Sequence, residues 1–106
     1  MLELICVAII VYYEARSEPL PGQLAVASVV YNRINDPRFP DSCPLVMSQP
    51  GQFEFYPPAQ PIDDPRAFRM ALLAASYASE PTNEYLFFNK KCGAKIGVHR
   101  FSREYC

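Results

Sequence analysis

The sequence predicts an α+β domain, mainly helical, that ends in a small C-terminal β-hairpin. Three observations carry that prediction. Apolar residues recur at helical spacing through 2–35, a capped helix follows Pro65, and short apolar runs broken by glycine follow Tyr85. With 106 residues and no internal repeat, the chain reads as a single domain over 1–106.

Residues 2–15 read as the first helix, with Leu2, Ile5, Ile9, Tyr12 and Tyr13 at spacings of three and four. Pro19 and Pro21 end it, because the residue before a proline avoids the α region. Residues 21–35 read as the second helix, with Pro21 in its first turn and Leu24, Ala27, Tyr31 and Ile34 along one stripe. Its centre, Gln23 to Val30, is apolar nearly all round, so this helix is expected to be the most buried element. Residues 36–65 form a long proline-rich connection with a short helix expected at 42–48. A connection of that length in a compact domain tends to carry function. A third long helix is expected from Pro65 to about Ser79, with Asp64 as N-cap and Met70 and Leu73 facing the core. Tyr85–Phe88 and Ile96–Phe101 read as two strands with a turn around Lys91-Cys92-Gly93.

Half of the residues are hydrophobic and 20% are charged, a globular balance. A net charge of −1 excludes a protein that works by neutralising nucleic-acid phosphates. The longest apolar run, Leu4 to Tyr13, is about half of the roughly 20 residues that a membrane-spanning helix needs. It follows Glu3 with no preceding Lys or Arg, so it does not read as a signal peptide, and the localisation stays open. Cys6, Cys43, Cys92 and Cys106 form no C-x-x-C pair, and His99 is the sole histidine, so neither a metal site nor any other cofactor is expected. Four cysteines permit three disulfide pairings, and spacing does not choose among them. Cys6, inside an apolar run, reads as a buried free thiol. Cys92 with His99 makes a poor nucleophile–base pair, since no orienting Asn or Asp accompanies them.

Glu14 is the most informative carboxylate. It stands near the C-terminal end of an apolar helix, where the helix dipole and apolar surroundings both disfavour its ionised form. A carboxyl held protonated near neutral pH is what a general acid needs to protonate a glycosidic oxygen. The bland alternative is a rim glutamate paired with Arg16 or Arg33. Glu18, four positions on, either shares a helix face with Glu14 or supports the following loop. Ser48-Gln49-Pro50-Gly51-Gln52-Phe53 places an amide and an aromatic on a proline-held turn. That arrangement suits sugar binding, and it equally suits an ordinary turn before a core Phe53. His99 reads first as a core or surface histidine.

Taken in order, these segments resemble a known family. Tyr13-Glu14-Ala15-Arg16-Ser17-Glu18-Pro19, Gly22-Gln23-Leu24-Ala25-Val26-Ala27 and Val30-Tyr31-Asn32-Arg33 resemble the N-terminal signature of the SleB-type cell wall hydrolases. The likeness continues through Pro37-Arg38-Phe39-Pro40, Gln49 to Phe53, an aromatic run into Asn89, and Ile96 to Phe101. The resemblance implies a lysozyme-like domain that cleaves peptidoglycan glycan strands between N-acetylmuramic acid and N-acetylglucosamine. It implies Glu14 as the catalytic acid, with Gln52, Phe53, Asn89 and His99 at the cleft and Glu18 close by. Ser17 stands where the family commonly has glycine, and Lys90 where it often has proline. Tryptophan is absent, so sugar stacking would fall to Tyr or Phe. The resemblance implies a muramidase or a lytic transglycosylase; single-glutamate lytic transglycosylation is the mechanism expected, since the sequence offers no unambiguous second carboxylate, and the chain is expected to act as a monomer. The alternatives are a hydrolytic muramidase using Glu18 or Glu54, and a non-catalytic peptidoglycan-binding module on the same fold.

Overall fold

The computed structural model describes residues 2–56 and 60–106. Four helices run in chain order: α1 (Leu2–Ala15), α2 (Leu20–Ile34), α3 (Cys43–Met47) and α4 (Pro65–Tyr77). Three short strands follow, β1 (Phe87–Asn89), β2 (Ala94–Ile96) and β3 (His99–Ser102). They form an antiparallel sheet in the order β1-β3-β2. The architecture is therefore α+β and mainly helical, and the helix boundaries fall within two residues of those read from the sequence.

α1 packs against α2, α3 and α4, which encloses Val7, Ala8, Ile10, Val11, Tyr12 and Ala15. The expected stripe of α1 needs correction, because Leu2 is 83% exposed and Ile5 39%. A helix that is apolar all round has no unique phase, and its neighbours decide which face is covered. α2 buries residues on most of its faces, from Gly22 and Gln23 through Val30, as expected for the central helix. α4 begins as its sequence demands: the Asp64 carboxylate accepts the Ala67 N–H at 3.0 Å, and Pro65 takes the first turn. Its buried face is Ala71, Ala74, Ala75 and Ala78, whereas Met70 and Leu73 face outward. Small residues let α4 lie close to α1, and the larger side chains directly before Ala71 and Ala74 are left outside.

Two further readings are also corrected. Ile96–Phe101 is not one strand: Gly97, at φ 64°, turns the chain so that Ile96 pairs with His99. A glycine in the first of two turn positions is the device that reverses a tight hairpin. Cys6 is not a free thiol. α3 lies against α1 and brings Cys43 to a Cα–Cα distance of 6.0 Å, where the two form a disulfide. A second disulfide joins Cys92 to Cys106. The long 36–65 connection holds the expected short helix, and its residues 57–59 lie outside those described.

Candidate active site

A cleft of about 510 Å³ opens between the end of α1, the 49–54 turn and the sheet. Tyr13 and Glu14 reach it from the last turn of α1, Gln52 and Glu54 from the turn, Phe88 and Asn89 from β1, and His99 from the start of β3. Lys90 and Lys91 complete the lining.

Glu14 is half-buried, and its carboxylate has no hydrogen-bond partner among the described residues. The expected rim pairing does not occur. Arg16 donates from Nη1 to the Tyr12 hydroxyl at 2.7 Å and lies over its ring, and Arg33 donates from Nε to the Leu86 carbonyl at 2.7 Å. With no cation paired to it among the described residues, burial and then the charge of Glu54 push the Glu14 pKa from 4.5 up to about 7. The negative end of α1 acts in the same sense. Tyr13 stacks on Phe55 at 4.6 Å and 14°, and its hydroxyl donates to the Gln60 carbonyl, which braces the apolar wall beside Glu14.

The 49–54 turn follows from two residues. Gln52 N–H donates to the Gln49 carbonyl at 3.3 Å across Pro50 and Gly51, and Gly51 has φ 72°. Proline followed by a positive-φ glycine is the pattern of a type II turn. Gln52 consequently faces the cleft, while Phe53, 4% exposed, turns inward against Phe55, Phe88 and the Arg33 guanidinium. The turn thus places the amide at the cleft and the aromatic in the core. Phe53 is not among the lining residues.

His99 is 6% exposed, with its ring edge-on to Phe88 at 5.2 Å and Nδ1 without a hydrogen-bond partner. Burial holds its pKa below 6.5; Glu18 opposes that shift and Lys90 adds to it. The imidazole is therefore neutral at neutral pH. Asn89 lines the cleft, yet its side chain serves the fold. Its Oδ1 accepts the N–H groups of Lys91 and Cys92, the latter at 3.0 Å, and Nδ2 reaches Cys106 Sγ at 3.4 Å. Glu18 does not line the cleft. Its Oε1 accepts the Val98 N–H at 2.8 Å and fills the space that a Cβ on Gly97 would occupy. It acts as a peg that fixes the β2–β3 turn from which His99 emerges. No cluster able to hold a metal ion occurs among the described residues. A second depression of about 490 Å³, beside Ile34–Asp41, offers Asp36, which Arg38 already pairs at 3.1 Å.

A family model described as Cell Wall Hydrolase matches residues 17–102. The chain belongs to this family. Among its relatives, the spore cortex-lytic enzyme of Bacillus subtilis (strain 168) is 39% identical over 79 residues, covering 74% of this chain and 26% of that protein. Those of Halalkalibacterium halodurans and Oceanobacillus iheyensis are each 38% identical over 79 residues, 74% of this chain, and 24% and 29% of their own lengths. The cell wall hydrolase chain thus spans about a quarter of the length of these relatives. No solved structure matches it. Glu14 lies three positions before the matched stretch, so its place in the site rests on the structure. Sequence reasoning did not find Lys90 and Lys91 as cleft residues. Their only signal was their position directly after Asn89, where an Asx turn folds them back over the cleft.

Proposed function

We propose that this cell wall hydrolase domain cleaves peptidoglycan glycan strands between N-acetylmuramic acid and N-acetylglucosamine, by lytic transglycosylation with Glu14 as the one acid–base group. The observation that carries the reading is a carboxyl without a partner in a polar cleft, with a pKa of about 7. At neutral pH about half of the molecules hold the proton that the leaving sugar requires, and the donor is matched to its working pH. Glu14 protonates the bridging oxygen, the bond from that oxygen to the muramic C1 breaks, and positive charge develops at C1. The resulting carboxylate takes the proton from the muramic C6 hydroxyl, and O6 closes on C1 to give a 1,6-anhydro ring. The electron pair of the broken bond leaves with the N-acetylglucosamine, Glu14 ends protonated, and no water is consumed. Gln52 offers an amide with no partner among the described residues for hydroxyl and acetamido groups, and Phe88 offers apolar surface.

One observation favours a second reading: Glu54 is a second carboxylate in the same cleft. A hydrolytic muramidase would use it to activate water or to stabilise the cation. Mass spectrometry of digested peptidoglycan separates the two. Fragments lighter by one water, with no reducing end, are expected; reducing ends throughout would overturn transglycosylation in favour of hydrolysis. A chain that pulls down sacculi without releasing fragments would be a binding module.

A further inference from the structure

A second, smaller pocket of about 200 Å³ adjoins the cleft and shares Gln52, Phe88, Asn89 and Lys91 with it. Its lining contains two cationic side chains, Arg33 and Lys91, and no Asp or Glu. Arg33 is 3% exposed. A guanidinium so deeply placed is ordinarily paired with a carboxylate, because an uncompensated buried charge is costly. Arg33 takes part in no salt bridge among the described residues, and its Nη1 has no hydrogen-bond partner there. Three rings surround it instead, Phe39, Phe53 and Phe87 at 5.1, 5.5 and 5.2 Å, and Nε is anchored on the Leu86 carbonyl. Ring faces offset part of the desolvation, but they do not occupy the in-plane donors of the two Nη groups, which beside the Leu86-bound Nε remain to meet a two-oxygen anion. Burial lowers the Arg33 pKa to about 10, so the side chain remains charged at neutral pH.

We propose that this pocket is a subsite for a carboxylate carried by the muramic acid unit of the strand in the cleft, with Arg33 as the anion-binding residue and Lys91 at its rim. The inference rests on the peptidoglycan reading of the cleft. Muramic acid differs from N-acetylglucosamine by a lactyl ether that ends in a carboxyl. The shared chemistry is a carboxylate next to the sugar, supplied either by a free lactyl group or by a peptide attached to it. The subsite would therefore set which way round the two alternating sugars lie across Glu14.

The test is calorimetric titration of the Glu14→Gln chain with three probes: the N-acetylglucosaminyl–N-acetylmuramic acid disaccharide, its lactyl methyl ester, and the disaccharide bearing a dipeptide with free carboxylates. The Arg33 Nε–H resonance is followed in parallel. At least one acidic probe is expected to bind about tenfold or more tightly than the ester and to shift that resonance, and which acid does so identifies the source. Arg33→Lys, which keeps the charge and loses the two-donor fork, is expected to weaken the favoured acidic probe about tenfold more than the ester. Equal binding of all three probes, or an acid preference with an unmoved Arg33 resonance, overturns the proposal. Should Arg33→Lys fail to fold, the three-probe comparison on the parent chain still decides. Turnover by the unmutated chain is measured separately. Cleavage with no acid preference sinks the subsite alone, and an acid preference without cleavage sinks the enzymatic reading alone.

Discussion

Replacing Glu14 by Gln isolates the energetic cost of holding a carboxyl half-dry. In the folded chain its pKa stands at about 7 against an ordinary 4.5, so folding retains a proton that the unfolded chain has already released. Between those values the native state binds more protons than the unfolded state, and stability falls as pH rises. The full shift corresponds to about 3 kcal/mol, at 1.36 kcal/mol per pKa unit. Because the cleft is open to solvent on one side, screening brings the working figure to about 2 kcal/mol. Glutamine keeps the shape and carries no charge, so Glu14→Gln should match the parent near about pH 4 and exceed it by about 2 kcal/mol near about pH 8. In thermal melts that is a gain of roughly 8 °C for a domain of this size. His99, whose pKa burial lowers, costs stability below 6.5 in both proteins and cancels in the difference. Parallel stability–pH curves for the two proteins would refute the reasoning, because they would show a solvated, ordinary carboxyl.

Activity on peptidoglycan should fall above about pH 7 as Glu14 loses its proton, and Glu54→Gln should move that limb to lower pH by removing the second cause of the shift; an unmoved limb in kcat/KM profiles would contradict the assigned cause. Gly97→Ala should destabilise the chain by about 1–3 kcal/mol, since the turn needs a positive φ and Glu18 occupies the Cβ position; denaturant titration reads this, and a neutral result would deny the peg. Opening the Cys6–Cys43 bridge by Cys6→Ala should cost up to about 4 kcal/mol for a separation of 37 residues, and a thiol count on the denatured, unreduced parent should find none.

Much of the fold was legible because its signals are local. Asp64 followed by Pro65 declares a helix start, Pro50-Gly51 declares a turn, and the apolar blocks around Ile9 and Val29 declare helices. The errors arise where a partner decides. Which face of α1 is buried depends on α2, α3 and α4, and an all-apolar helix carries no phase of its own. Cys6 reads as a thiol until α3 delivers Cys43. Gly97 inside an apolar run resembles a strand interior until the register of His99 opposite Ile96 shows the reversal. At the site, Glu14 was legible from its helix-end position among aromatics, whereas Glu18 was ambiguous because its partner, the Val98 amide, lies 80 residues away. Arg33 stood in the sequence only as part of the Tyr31-Asn32-Arg33 motif and as a candidate partner of Glu14; the packed structure shows it buried with no salt bridge among the described residues.

Digestion of purified peptidoglycan by the unmutated chain beside a folded Glu14→Gln chain is the most direct trial of the proton donor. The account predicts soluble anhydro-ended fragments from the first and essentially none from the second; matching release by both would contradict it.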